Sequence, residues 1–400
     1  MPSKMSPSGF KELSDTTLFK PLQLGAIQLE HRVIMAPLTR MRAPKGSDGV
    51  FVPGDMTVEY YIQRASKGGL QITEACPISP TASGYPGVAG IYTQSQVTGW
   101  KRVTEAVHAK GGFIYCQLWH VGRATVPSLI GGRNPVSSSD IPLKGNGPDG
   151  SPYAARPPKS MTVSDIQDTI KEYSTAAKRA IEAGFDGVEL HGANGYLIDQ
   201  FLHDNVNLRT DDYGGSIEKR SRFPLEVIRA LAEAFGADRV GVRLSPFNYF
   251  QDTRDSDPIP HWSYLCEQIA ALPKQYRPAY VNMIEPRFDE VLDEQSKLDA
   301  LSNETGAKVQ SLVPFKQILK KGDIKFVAAG AFNRDNAAPK LDSGEADAIV
   351  FGRWFIANPD LPIRLARGLP LNSYDRDSFY GADPPSKGYV DYPFYERAQL

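Results

Sequence analysis

Eight short apolar runs, each followed by a longer mixed stretch, constrain this chain more than any other feature. They are Val33–Leu38, Leu70–Glu74, Phe113–Leu118, Gly187–His191, Val240–Ser245, Tyr280–Ile284, Phe326–Ala329 and Ala348–Gly352. They are apolar at successive positions and partly β-branched, the pattern of strands covered on both faces. The stretches Asp55–Lys67, Gln94–Lys110, Thr162–Ala183 and Ile217–Phe235 between them read as amphipathic helices. Ser164 is the expected N-cap of the third. Eight βα units predict an α/β fold of the (β/α)8 TIM barrel type. A doubly wound sheet with added strands is the alternative use of the same elements. Leu18–Leu29 reads as two short strands around Gly25 and Ala26, a hairpin capping the bottom of the barrel. No linker interrupts residues 1–400, so one domain is expected, with residues 1–15 as a flexible start.

Composition removes several function classes. The formal net charge is −1, which gives no global attraction to nucleic acid or anionic lipid. No apolar run approaches the length of a membrane span. Met1–Gly9 is rich in Pro and Ser and lacks a signal peptide's apolar core. Cys76, Cys116 and Cys266 are too scattered for a metal site or a disulfide framework, which favours a reducing, cytoplasmic setting with no metal. The sequon Asn303–Thr305 and the C-terminal Ala398–Leu400 read as chance matches to glycosylation and peroxisomal signals.

Two long insertions follow the third and fifth strands. Arg123–Ser160 is rich in Gly, Pro and Ser, and Phe247–His261 alternates Asp and Pro. Loops of this length inside a compact domain usually carry function. Gly145–Gly150 fits the dinucleotide spacing G-x-G-x-x-G, yet no strand precedes it and Pro148 lies inside it. Without the strand, turn and helix, the spacing binds no nucleotide.

In a barrel, chemistry belongs at the C-terminal ends of the strands. Those ends here carry Thr39 and Arg40, Thr73 to Ala75, Gln117 to His120, His191 to Tyr196, Arg243 to Pro246, Gly330, and Gly352 with Arg353. The segments Ala36–Arg42, Val58–Ala65, Gln117–Gly122, His191–Phe201, Arg209–Arg222, Gly241–Pro246 and Gly352–Pro359, with the tail Leu369–Tyr395, resemble the Old Yellow Enzyme family of FMN-dependent ene-reductases. The resemblance spans nearly the whole chain in order, and Arg209–Ser216 is its most specific motif.

That resemblance implies bound FMN and NADPH as co-substrate. It assigns Pro37, Thr39, Ala75 (through its backbone) and Gln117 to the flavin ring, and Arg243 to the negative charge of the reduced ring. It assigns Gly330, Ala331, Gly352 and Arg353 to the phosphate, aided by the helix opening near Pro359–Asp360. Ala75 and Ala331 depart from residues common at those places in the family, and neither change removes a charge. His191 and Asn194 are expected to clamp a substrate carbonyl, and Tyr196 to protonate its α-carbon. Trp119, Tyr85 and Tyr380 are expected to wall the pocket. Each of these residues also has a plain structural use, as a core aromatic, a satisfied histidine or an ion pair. The implied reaction passes hydride from NADPH through FMN to the β-carbon of an α,β-unsaturated aldehyde or ketone. A flavin-assisted isomerase or natural-product step of the ergot-alkaloid type, a flavin-free barrel hydrolase or lyase, and an inactive binding homologue are the rivals. No macromolecular partner is implied, and a monomer or homodimer is expected.

Overall fold

The computed structural model describes residues 9–288 and 310–395. The sequon Asn303–Thr305, the C-terminal Ala398–Leu400 and nearly all of Met1–Gly9 lie outside them. Strands β1 (Leu22–Leu24) and β2 (Ile27–Leu29) form an antiparallel hairpin. Then follow β3 (Val33–Met35), β4 (Leu70–Pro77), β5 (Phe113–Trp119), the short pair β6 (Val136–Ser137) and β7 (Lys159–Ser160), β8 (Gly187–Gly192), β9 (Val240–Leu244), β10 (Tyr280–Ile284), β11 (Lys325–Ala329) and β12 (Ala348–Phe351). Strands β3, β4, β5, β8, β9, β10, β11 and β12 pair in parallel and close on themselves. The expected (β/α)8 barrel is the fold, and the doubly wound alternative is excluded by closure.

Two apolar layers hold it. One lies between the strands and the outer helices, where Trp100, Tyr173, Phe223 and Trp262 are fully buried. The other fills the barrel: Ile34, Ile72, Tyr115, Tyr280, Val327 and Val350 pack with Leu22, Leu24, Ile27 and Leu29 of the hairpin. The Ala26 N–H bonds the Asp238 carbonyl just before β9, so the hairpin plugs the N-terminal mouth as expected. Strand alternation puts Gly187 and Gly241 on the inner wall, and a side chain there would strike the rings of Tyr115 and Tyr280. Both glycines are space for tyrosines.

Several boundaries differ from the sequence reading. The end of the stretch 1–15, expected to be flexible, is packed. Leu13 is fully buried and its N–H bonds the carbonyls of Leu365 and Ala366. Strand β4 runs on past Glu74 to Pro77 because a bulge between Ile72 and Ala75 resets its register against β5. The helix Val163–Glu182 is capped by Thr162, not Ser164. Thr162 Oγ1 accepts the Asp165 N–H, and the Asp165 carboxylate accepts the Thr162 N–H in return. Ser164 already lies inside the first turn. Thr162→Ala should therefore lower stability by about 1 kcal/mol, while Ser164→Ala changes it by only a few tenths. Chemical denaturation of the two variants checks this, and equal effects would refute the cap.

Candidate active site

Parallel register carries the polar residues to one mouth. His191 lies one residue from the end of β8 and is the direct partner of Arg243 on β9, which is in turn the partner of Asn282 on β10. Ala75 on β4 partners Gln117 on β5. A bulge lies just before Ala75, a feature common next to active sites. Pro37 and Thr39 follow β3 and are half-buried. Gly330 and Ala331 follow β11, Gly352 and Arg353 follow β12, and all four are half-buried.

The loop after β8 is held from behind. Asn194 adopts a left-handed φ of 57°, tolerable for asparagine. Its N–H bonds the Ser245 hydroxyl at 2.9 Å, and the next N–H, of Gly195, bonds the Asp199 carboxylate at 2.8 Å. Gln200 ties the Gly195 and Val121 carbonyls together through Nε2, while its Oε1 accepts from the Arg123 N–H and the Ser137 hydroxyl. Tyr196 then stands at the start of the short helix Leu197–Leu202.

Rings line the opening. Trp119 lies parallel to Tyr85 at 5.9 Å and meets Tyr196 edge-on at 4.8 Å. His191 meets Tyr196 edge-on at 5.2 Å. Leu143 and Tyr153, from the Arg123–Ser160 insertion, pack against Trp119, Val121 and Tyr85. That insertion thus builds a wall. Phe250 and Gln251, from the second insertion, press on Gly195. Tyr380 sits at the rim, 65% exposed, so it borders the opening rather than enclosing it.

Burial sets the protonation states. Burial and then the charge of Arg243 push His191 down to about 3, so its ring is neutral at ordinary pH. Burial holds the Tyr196 phenol well above its usual range, with Tyr85 adding to the effect. It is a protonated donor. His191 Nδ1 and Asn194 Oδ1 are buried without a hydrogen-bond partner among the described residues. The neutral ring can donate an N–H to an incoming oxygen, and Asn194 can do so only through Nδ2, since its Oδ1 accepts.

The residues fit a flavin mononucleotide. Thr39, Ala75, Gln117 and Arg243 offer donors, an acceptor and a fixed positive charge on one arc of strands. At β11 and β12, Gly330 and Ala331 carry left-handed backbone at φ 109° and 52°. A side chain at Gly352 would meet only Leu38 and Ala36, at 3.7 and 3.8 Å, so the wall there is open. The helix Arg353–Ala357 opens directly at this point. At the helix start near Pro359–Asp360 the buried Asp360 carboxylate pairs with Arg364 at 2.6 Å.

A model of the NADH:flavin oxidoreductase / NADH oxidase family matches residues 17–372. The chain belongs to that family. It is 63% identical over 377 residues to the flavin oxidoreductase hxnT of Emericella nidulans, covering 94% of this chain and 97% of that one. It is 44% identical to 12-oxophytodienoate reductase 1 of Oryza sativa subsp. japonica, over 95% and 93% of the two chains. Among solved structures, morphinone reductase in complex with tetrahydroNAD superposes with a TM-score of 0.82 at 41% identity, covering 96% and 99%. The Old Yellow Enzyme homologue of Zymomonas mobilis gives 0.84 at 37%, covering 95% and 100%. The resemblance to Old Yellow Enzymes is borne out, and membership makes this chain an FMN-type oxidoreductase of the ene-reductase kind. No helix among the described residues is long and apolar enough to cross a membrane. No cluster of three or more His, Cys, Asp or Glu suited to a metal occurs among them.

Sequence patterns passed over Glu189, Asp199 and Gln200. Glu189 had a signal, a charge two residues before His191 in an apolar strand. Asp199 and Gln200 had none, since their bonds to Ser245, Val121, Arg123 and Ser137 reach across the chain and those to Gly195 follow no sequence pattern.

The histidines set a pH dependence. His31, His120 and His191 are lowered by burial to about 4, 3 and 3, from 6.5. Below pH 6.5 the unfolded chain binds protons that the native state refuses. The stability these three contribute is whole above pH 6.5 and falls as pH drops toward 4, while Glu74, which burial raises to about 7, acts the opposite way. Thermal unfolding followed from pH 7.5 to 5 should fall off less steeply in His120→Gln than in the parent, a comparison in which Glu74 cancels, and identical slopes would refute the neutral buried histidine.

Proposed function

We propose that this chain reduces α,β-unsaturated aldehydes and ketones with hydride drawn from NADPH. The observation that carries the reading is the convergence of a neutral His191, Asn194 and a protonated Tyr196 beside Arg243 at one barrel mouth. The names of two relatives, a 12-oxophytodienoate reductase and a morphinone reductase bound to tetrahydroNAD, support a nicotinamide and an enone.

FMN, when bound, supplies the two-electron exchange between nicotinamide and alkene. Pro37, Thr39, the Ala75 backbone and Gln117 would hold its ring. Arg243, always charged, would stabilise negative charge on the reduced ring. Gly330, Ala331, Gly352 and Arg353 would hold its phosphate. His191 and Asn194 donate to the substrate carbonyl oxygen and stabilise the enolate charge that develops there. A neutral imidazole does this by a directed N–H rather than by a diffuse charge. Tyr196 gives its proton to the α-carbon. Trp119 and Tyr85 exclude water from the reacting atoms, and Tyr380 guards the rim.

Tyr196→Phe should slow alkene reduction about 100-fold while leaving flavin reduction by NADPH nearly unchanged. Stopped-flow traces with both half-reactions slowed alike would remove Tyr196 as proton donor. His191→Ala should weaken phenol binding about tenfold or more, since a phenolate mimics the enolate oxygen. An unchanged charge-transfer titration would refute the clamp.

A further inference from the structure

Beneath the mouth, inside the barrel, lies a carboxylate that the reaction above does not use. Glu189 is fully buried, two residues before His191 on the same inward-facing edge of β8. Its Oε1 accepts from Gln117 Nε2 at 2.8 Å. Its Oε2 accepts from the Tyr280 hydroxyl at 3.0 Å and from Asn282 Nδ2 at 3.2 Å. Arg243 faces it electrostatically and opposes the rise that burial imposes on its pKa. Amide N–H groups only donate, so two of the three partners demand an acceptor, and the phenol completes the set. Burial raises its pKa on balance, and the three donors with Arg243 draw it back toward the acceptor form.

An acceptor-only group removes an ambiguity in its neighbour. A glutamine amide has a donor end and an acceptor end of nearly equal size. Glu189 attracts Nε2 and repels Oε1, so Gln117 has one orientation, with its carbonyl turned away from Glu189. A flavin's pyrimidine edge carries an N–H between two carbonyls, and a reversed amide would meet it with the wrong polarity. The same carboxylate offsets part of the Arg243 charge, one register step away along β9.

We propose that Glu189 is a positioning residue which sets the reduction equilibrium of the bound flavin, by fixing the Gln117 amide and by partly neutralising Arg243. The inference rests on the assignment of Gln117 and Arg243 to the flavin under the proposed function. Removing the negative charge leaves Arg243 less opposed, which favours the anionic reduced flavin.

The test is redox titration of holoenzyme variants against a reference dye. Glu189→Gln should bind FMN and shift the equilibrium at least about tenfold toward reduced flavin, about 30 mV for a two-electron couple. Glu189→Asp, which keeps the charge, should stay near the parent. Should Glu189→Gln not accumulate, the exchange Glu189→Gln with Gln117→Glu keeps a carboxylate–amide pair and moves the charge toward the ring. It should shift the equilibrium the opposite way, toward oxidised flavin. A parent-like potential in Glu189→Gln, or in the exchange, alongside a shifted one in Gln117→Leu overturns the role of Glu189 and leaves the flavin assignment standing. Parent-like potentials in Gln117→Leu as well overturn the assignment, and the inference with it.

Discussion

A closed parallel barrel has an inside, and water does not reach it. Side chains alternate along each strand, so every second residue of β5, β8, β9 and β10 points into that space. Near the N-terminal end those positions are Tyr115, Gly187, Gly241 and Tyr280, an apolar floor completed by the hairpin. Higher up they become Gln117, Glu189, Asn282 and then His191 and Arg243. A guanidinium and a carboxylate at that depth persist only if each is paired and hydrogen-bonded. The donors around Glu189 meet that demand, and the mouth chemistry stands on this buried polar layer.

Above it, the working segment His191–Tyr196 has little regular structure of its own. Its shape comes from three residues behind it. Ser245 and Asp199 take successive backbone N–H groups of Asn194 and Gly195, and Gln200 anchors Gly195 to the loop after β5. The left-handed turn at Asn194 is thereby over-determined, as strained backbone at a site must be. The two insertions join beside the site, where Arg123 donates to the Gln251 carbonyl and the Lys144 N–H to the Asp252 carboxylate; Leu143 and Tyr153 come from one, Phe250 and Gln251 from the other. These loops shape the walls of the opening, while the charge distribution is set by the strands.

The difference between strands and loops also explains what was legible in advance. All eight barrel strands, the hairpin and the mouth residues could be read because apolar runs and period-two alternation are local. The Thr162 cap was misplaced by two residues, since Thr162 and Ser164 are equally good caps and only the helix axis chooses between them. The reach of β4 to Pro77 depended on a bulge that answers to β5. The Asp360–Arg364 pair at the start of the helix Leu361–Ala366 joins residues one turn apart, within reach of a local reading.

By itself, the sequence determined the layer architecture, the order of the strands and the residue types at their C-terminal ends, because burial pattern and strand period are written residue by residue. Only the tertiary structure decided which of those residues are neighbours and in what state of charge. His191 is neutral because closure sets it beside Arg243 out of water. Gln117 has a defined face because β8 brings Glu189 level with it. Pairing and desolvation belong to contacts between distant segments, and the order of residues along one strand does not contain them.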